Sequence, residues 1–166
     1  MLAALATIGL VKGIERAVEF FYLNGGIANA PWWQLLFAPA VGGLLVGILL
    51  RFASRSGRYQ GVSDVMESAA MRGGSIDLRN GLVSAAATIV SLGSGASLGR
   101  EGPAIHLGAT ISAWLSRTLR FDRSDSLVLL GCGVAAAVTA SFNAPIAGVL
   151  FALEVVVGYY SLRVFT

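Results

Sequence analysis

The sequence predicts an all-α membrane protein. Hydrophobic residues make up 55% of the 166-residue chain, charged residues only 13%, and the mean hydropathy is +0.74. This composition is typical of a chain that lies in lipid rather than of a soluble domain. Glycine and proline interrupt the apolar stretches, with 21 glycines and 4 prolines, and we therefore expect short and broken helices among the spanning ones.

Seven helices are expected along the chain. The clearest span is Pro31 to Leu50, because a spanning helix needs about 20 mostly apolar residues and this stretch is bordered by two tryptophans and by Arg51. Val62 to Met71 forms a helix too short to cross a bilayer. The other expected helices are the amphipathic Met1 to Tyr22, then Gly81 to Leu98, Ala104 to Leu119, Asp125 to Ala140 and Ile146 to about Val157. The expected connections are Gly25-Gly26, Gly73-Gly74, Phe121 to Ser124 and the break Asn143-Ala144-Pro145.

The positive charges gather at the ends of these segments. A net charge of +3 in a soluble chain would point to nucleic acid, but arginines at segment ends are typical of a bilayer border, so we expect a lipid bilayer and no nucleic acid as partner. The clusters follow one another at successive boundaries without alternating, and the positive-inside rule therefore leaves the orientation open. They are Arg51/Arg55/Arg58, Arg72/Arg79 and Arg117/Arg120/Arg123.

Three further residue types carry structural expectations. Gly43 and Gly47 have the small-xxx-small spacing of a helix contact, and Cys132 is expected as a small buried residue. His106 is expected as a packed or hydrogen-bonded helix histidine. Because the chain has one cysteine and one histidine, it offers neither an internal disulfide nor a metal-ligand spacing, and we expect no metal and no cofactor.

The run Gly99-Arg100-Glu101-Gly102-Pro103 places a carboxylate within apolar sequence. An ionisable side chain at membrane depth marks an ion or proton pathway by default, so Glu101 is the leading functional candidate. Pro103 suits the first turn of a helix, and the glycines leave backbone amides exposed. A helix N-terminus aimed into the membrane attracts an anion without holding it as tightly as a full cation would. The starts at Gly102-Pro103 and at Gly61-Val62 are the candidate anion sites.

This run is followed by an apolar helix and then by Phe142-Asn143-Ala144-Pro145-Ile146-Ala147-Gly148 and Leu150 to Glu154. The combination resembles the CLC family of chloride channels and chloride–proton antiporters, and the resemblance extends over nearly the whole chain. It implies broken and tilted helices, two inverted halves per subunit and a homodimer with one pore per subunit. Residues 1–166 would then form a single multi-pass domain of the cell membrane, the first inverted-repeat half, in a chain truncated before the second.

The resemblance also implies roles for individual residues. Glu101 would be the gate, whose carboxylate occupies an anion position when ionised and leaves it when protonated. Backbone amides around Arg100 and Gly102 would line the outer anion site. The family's inner anion-contacting motif matches Tyr59-Gln60-Gly61-Val62-Ser63, so Gln60, Gly61 and Val62 are expected at the anion, with Gln60 in place of the family's serine. A side-chain amide can still donate to an anion, although Gln60 facing solvent is the alternative.

Two positions bear on proton coupling. The inner proton-relay glutamate of the family's exchangers matches Val155, and valine carries no proton. This favours a channel, although an exchanger could use another group or a water chain. Glu154 matches a carboxylate present in both subclasses, and it is either on the proton path or a structural residue.

The sequence therefore predicts a non-enzymatic pore that transports chloride, with protons as a second transported ion if the protein is an exchanger. Two alternatives remain. An intramembrane serine protease would use Ser94 or Ser97 as nucleophile and His106 as base, but would leave Glu101 without a role. A non-conducting membrane assembly subunit is the other.

Overall fold

The structure is a computed structural model that describes residues 1–22, 31–54 and 57–157. Every regular element in these three ranges is helical, which confirms the all-α prediction. The predicted Gly25-Gly26 connection lies outside the described residues. In chain order the helices are α1 (Leu2–Phe21), α2 (Trp32–Ala53), α3 (Val62–Met71), α4 (Leu78–Gly93), α5 (Glu101–Leu119), α6 (Arg123–Phe142) and α7 (Pro145–Phe151), and α7 continues as a π-helical segment (Ala152–Val157).

Among the described helices, α2 and α6 are long and apolar enough to cross a bilayer. Helix α4 differs from its prediction at both ends. It begins at Leu78, since the carboxylate of Asp77 caps it by accepting from the backbone N–H of Arg79 at 3.2 Å. It ends at Gly93, because Gly95 turns the chain at φ +96°, a conformation that glycine adopts without strain.

Helix α5 lies at the centre of the fold. All eight residues from 103 to 110 are buried, so neighbouring helices enclose this part of α5 on every side. Helix α6 packs closest to it, through glycine. A Cβ atom at Gly108 would lie 2.6 Å from the carbonyl oxygen of Gly133 and 2.8 Å from Cβ of Ala137. The two backbones therefore approach more closely than alanine at either glycine would allow.

Two packing predictions are wrong for the described chain. Gly43 and Gly47 are exposed, and no atom would lie within 4 Å of a Cβ at either position. The glycine of α2 that makes the close contact is Gly42, which packs against the side chain of Ser94. Cys132 is exposed rather than buried, because α6 turns this residue outward while Gly131 and Gly133 point inward.

Arg79, Arg117 and Arg123 lie where the ends of α2, α3 and α5 meet the starts of α4 and α6. Arg79, at the start of α4, donates to the carbonyl of Ala53 at the end of α2. Arg117, near the end of α5, donates to the hydroxyl of Ser75, and the side chain of Arg123 lies against Gly73. Because α3 is too short to cross, the chain returns to the same face, and this explains why the clusters do not alternate along the sequence.

Candidate functional site

The starts of α3 and α5 meet at one cavity. A Cβ atom at Gly102 would lie 3.9 Å from Cγ2 of Val62, so the first turns of the two helices lie close to each other. The cavity has a volume of about 460 Å³. Its walls are Gly61 and Val62 from the start of α3, Gly99, Gly102 and Pro103 from the start of α5, and Val46, Leu50, Tyr59, Ala87, Thr88, Ser91 and Leu98 from the surrounding elements.

Backbone amides at these two helix starts can face an anion. The first N–H groups of a helix have no carbonyl partner one turn back. In α5 the N–H of Ala104 already bonds to the carbonyl of Arg100 at 3.2 Å, and Pro103 has no N–H. In α3 the N–H of Gly61 donates to the carboxylate of Asp64 at 2.9 Å. Both starts carry the partial positive charge of a helix N-terminus.

Glu101 is the first residue of α5 and is half-buried. Its carboxylate lies over Gly99, with Oε2 at 2.8 Å from the position that a Cβ of Gly99 would take. Glu101 and Arg100 line a second cavity, of about 380 Å³, together with Glu15 of α1. Leu98 and Gly99 line both cavities. The carboxylate is therefore a neighbour of the cavity at the helix starts, on the other side of Gly99.

Gly61, Val62 and Gly102 line one cavity, but Gln60 lines another. Gln60 lines a small polar cavity with Asp64 and His106, and its backbone N–H donates to the hydroxyl of Ser84 at 3.2 Å. Only the backbone of the neighbouring Gly61 reaches the larger cavity. The Gln60 side chain does not line the larger cavity, and its role in binding the anion stays a prediction.

Tyr59 and Thr88 are polar residues of the larger cavity that sequence reasoning missed. The hydroxyl of Thr88 bonds to the carbonyl of Ser84 at 2.9 Å. Burial raises the pKa of Tyr59, so its hydroxyl stays neutral and able to donate. The sequence feature that could have pointed to Tyr59 is its position, three residues before the first residue of α3.

Glu154 and Val155 lie on the π-helical segment, away from the three cavities described above. Glu154 is exposed and Val155 is half-buried. The segment packs on α3, where Ala152 joins the core around Val65. Their proton-path roles remain predictions.

The protease arrangement is not formed. The hydroxyl of Ser94 donates to the carbonyl of Ser91 at 2.9 Å, and Ser97 is exposed. Nε2 of His106 has no hydrogen-bond partner, whereas a base would have to hydrogen-bond the nucleophile or come close to it.

The comparisons with known proteins agree with one another. The family model described as voltage gated chloride channel matches residues 41–166. A ClcB-like chloride channel protein of Ralstonia nicotianae is 41% identical over 93% of this chain and 38% of its own length. The voltage-gated ClC-type chloride channel ClcB of Escherichia coli is 35% identical over 95% of this chain and 39% of its own. No solved structure matches.

The chain thus spans about two fifths of the length of these curated relatives. The matched region contains both helix starts, Glu101 and the π-helical segment. On this match, which covers more than half of its residues, the chain belongs to the voltage-gated chloride channel (CLC) family.

Proposed function

We propose that the protein containing this chain transports chloride across a membrane, and that the starts of α3 and α5 form part of the anion path. The observation that carries the proposal is the convergence of two helix N-termini on one cavity of about 460 Å³. Two such termini attract an anion through partial charges and free N–H groups. Since no lysine or arginine lines this cavity in the described chain, the anion is held weakly enough to leave.

We propose further that Glu101 is the gate. Its carboxylate lies at the first position of α5, where the helix dipole favours negative charge. Leu98 and Gly99 line both the cavity of Glu101 and the cavity of the helix starts. A change of side-chain rotamer would carry an ionised carboxylate toward the place that the anion takes, and protonation would remove the attraction. Chloride occupancy and proton binding then compete at one position.

The membrane arrangement is part of the proposal. Residues 1–166 would be one multi-pass domain of the cell membrane, the first inverted half of a homodimer subunit. The face that carries the arginine clusters would be cytoplasmic, by the positive-inside rule. On that assignment the loop before α6 faces the cytoplasm and the loop between α4 and α5 faces outward.

Single-cysteine labelling tests this orientation. The background replaces Cys132 by serine, and the two test variants are Ser97→Cys and Ser124→Cys, both at exposed positions. A membrane-impermeant maleimide is expected to label residue 97 in intact cells and residue 124 only after permeabilisation. The reverse pattern would overturn the orientation.

The transport class is decided by measuring chloride and proton movement together in liposomes that contain the full-length protein. Chloride-driven proton movement would show an exchanger whose protons bypass Val155. Chloride flux without proton movement would show a channel, with Val155 as the break in the proton path. No chloride flux in either direction would reject the proposal and favour the assembly-subunit alternative.

A further inference from the structure

A small polar cavity lies between α3, α4 and the first half of α5. Its volume is about 60 Å³, and every one of its ten lining residues except Ile76 is polar or charged. One buried water needs about 10 to 15 Å³ of such space and two to four polar partners. The cavity therefore has both the room and the polar groups for several water molecules.

His106 is the most buried residue of the cavity lining. The residue is 1% exposed, and its Nε2 atom is buried without a hydrogen-bond partner. A buried ring nitrogen without a partner is costly, so native structures give such atoms a protein or water partner. Among the described residues that line the cavity, none supplies it.

Each carboxylate of the cavity lining already accepts a hydrogen bond from the protein. The carboxylate of Asp64 pairs with Arg58 at 2.8 Å, and that of Glu67 pairs with Arg72 at 2.6 Å. The carboxylate of Asp77 accepts from the backbone N–H of Arg79. Two of the three carboxylates are thus balanced by arginines, and the third is held at the start of α4.

We propose that this cavity binds a cluster of water molecules whose innermost protein ligand is Nε2 of His106, and that the cluster connects His106 to Asp64. Asp64 also lines the cavity and caps α3 by accepting from the N–H of Gly61. The water cluster then holds this carboxylate in the cap, and His106 acts as a positioning residue for the start of α3. The hydration site does not depend on the proposed function, whereas its effect on transport rests on that function.

Nitrogen NMR tests the hydration site directly. His106 is the single histidine of the 166 residues, so histidine labelled with ¹⁵N reports on it, and the loss of the signal in His106→Gln assigns it in the full-length protein. We expect magnetisation transfer from water protons to Nε2 in the unmodified protein. If Nε2 receives no magnetisation from water protons, or receives it from a protein group instead, the proposal is overturned.

The positioning role is tested by the ratio of chloride to nitrate transport. His106→Leu keeps the approximate size but removes the polar atom, and we expect a change in the ratio of about fivefold, which corresponds to about 1 kcal/mol. His106→Gln can still bind the water and should keep the ratio within about twofold. Thr118→Val is the control, since Thr118 lies on the exposed end of α5 and outside the cavity.

An unchanged ratio in His106→Leu overturns the positioning role, and so does an equal change in His106→Leu and His106→Gln. If His106→Leu does not fold, His106→Gln and the NMR signal of the unmodified protein still decide the hydration site. If the unmodified protein transports no chloride, the proposed function fails, while transfer from water to Nε2 would still support the hydration site.

Discussion

Adding one methyl group at Gly99 should displace the carboxylate of Glu101. The new Cβ would lie 2.8 Å from Oε2, whereas ordinary van der Waals contact begins at 3.4 Å, so the oxygen must move by about 0.6 Å or more. Gly99 has no positive φ among the backbone values, and alanine therefore fits its backbone. The far end of the Glu101 side chain is the part that yields.

The size of the effect follows from the side-chain torsions. A side chain forced about 30° from its rotamer loses about 0.5–1.5 kcal/mol. Taking about 1 kcal/mol, the population of the present carboxylate position falls about fivefold. If this position belongs to the gating cycle, the chloride flux of Gly99→Ala should change by a similar factor.

The assay is chloride efflux from liposomes at constant pH in a double-mutant cycle with Glu101→Ala. Gly99→Ala is expected to change the flux about fivefold when Glu101 is present and less than about 1.5-fold when residue 101 is alanine, because the displaced group is then missing. Equal changes in both backgrounds would show that the methyl group acts on the pore without the carboxylate, and that Gly99→Ala does not work through Glu101.

Two further predictions concern stability, measured as thermal unfolding in detergent. Gly108→Ala should lower the free energy of unfolding by about 1–3 kcal/mol, because its Cβ would meet the backbone and a side chain of α6. The control Gly47→Ala has open space at its Cβ and should leave the free energy of unfolding unchanged. Equal unfolding temperatures for the two variants would contradict the α5–α6 packing. Tyr22→Phe should lower the free energy of unfolding by about 1 kcal/mol, since it removes the 2.9 Å hydrogen bond to the buried carbonyl of Ser94. An unchanged unfolding temperature would show that this hydrogen bond does not stabilise the fold.

The sequence predicted the helices and the two helix starts because these depend on local chemistry. Apolar length defines α2, and a proline near Glu101 together with glycines defines the start of α5. The position of these two starts at one cavity does not follow from local chemistry. Spacing alone contains no information on which helix ends meet.

The errors in packing have a single physical cause. Neighbouring residues on a helix point about 100° apart, so the rotation of α2 about its axis decides whether Gly42 or Gly43 meets another helix. The same reasoning applies to Cys132 between two buried glycines. Gln60 is a third case, since the backbone of Gly61 reaches the larger cavity while its neighbour lines the smaller one. Rotation and rotamer are set by tertiary contacts that a single sequence does not display.

The pH dependence of chloride flux in Glu101→Gln tests whether Glu101 is the gate. Glutamine keeps the size of the side chain but cannot ionise, and Glu19→Gln, at an exposed position on α1, is the matched control. Across about pH 3 to 6, where carboxylates ordinarily change charge, we expect flux that no longer depends on pH in Glu101→Gln and an unaltered dependence in Glu19→Gln. A pH dependence that survives in Glu101→Gln would contradict the assignment of Glu101 as the gate.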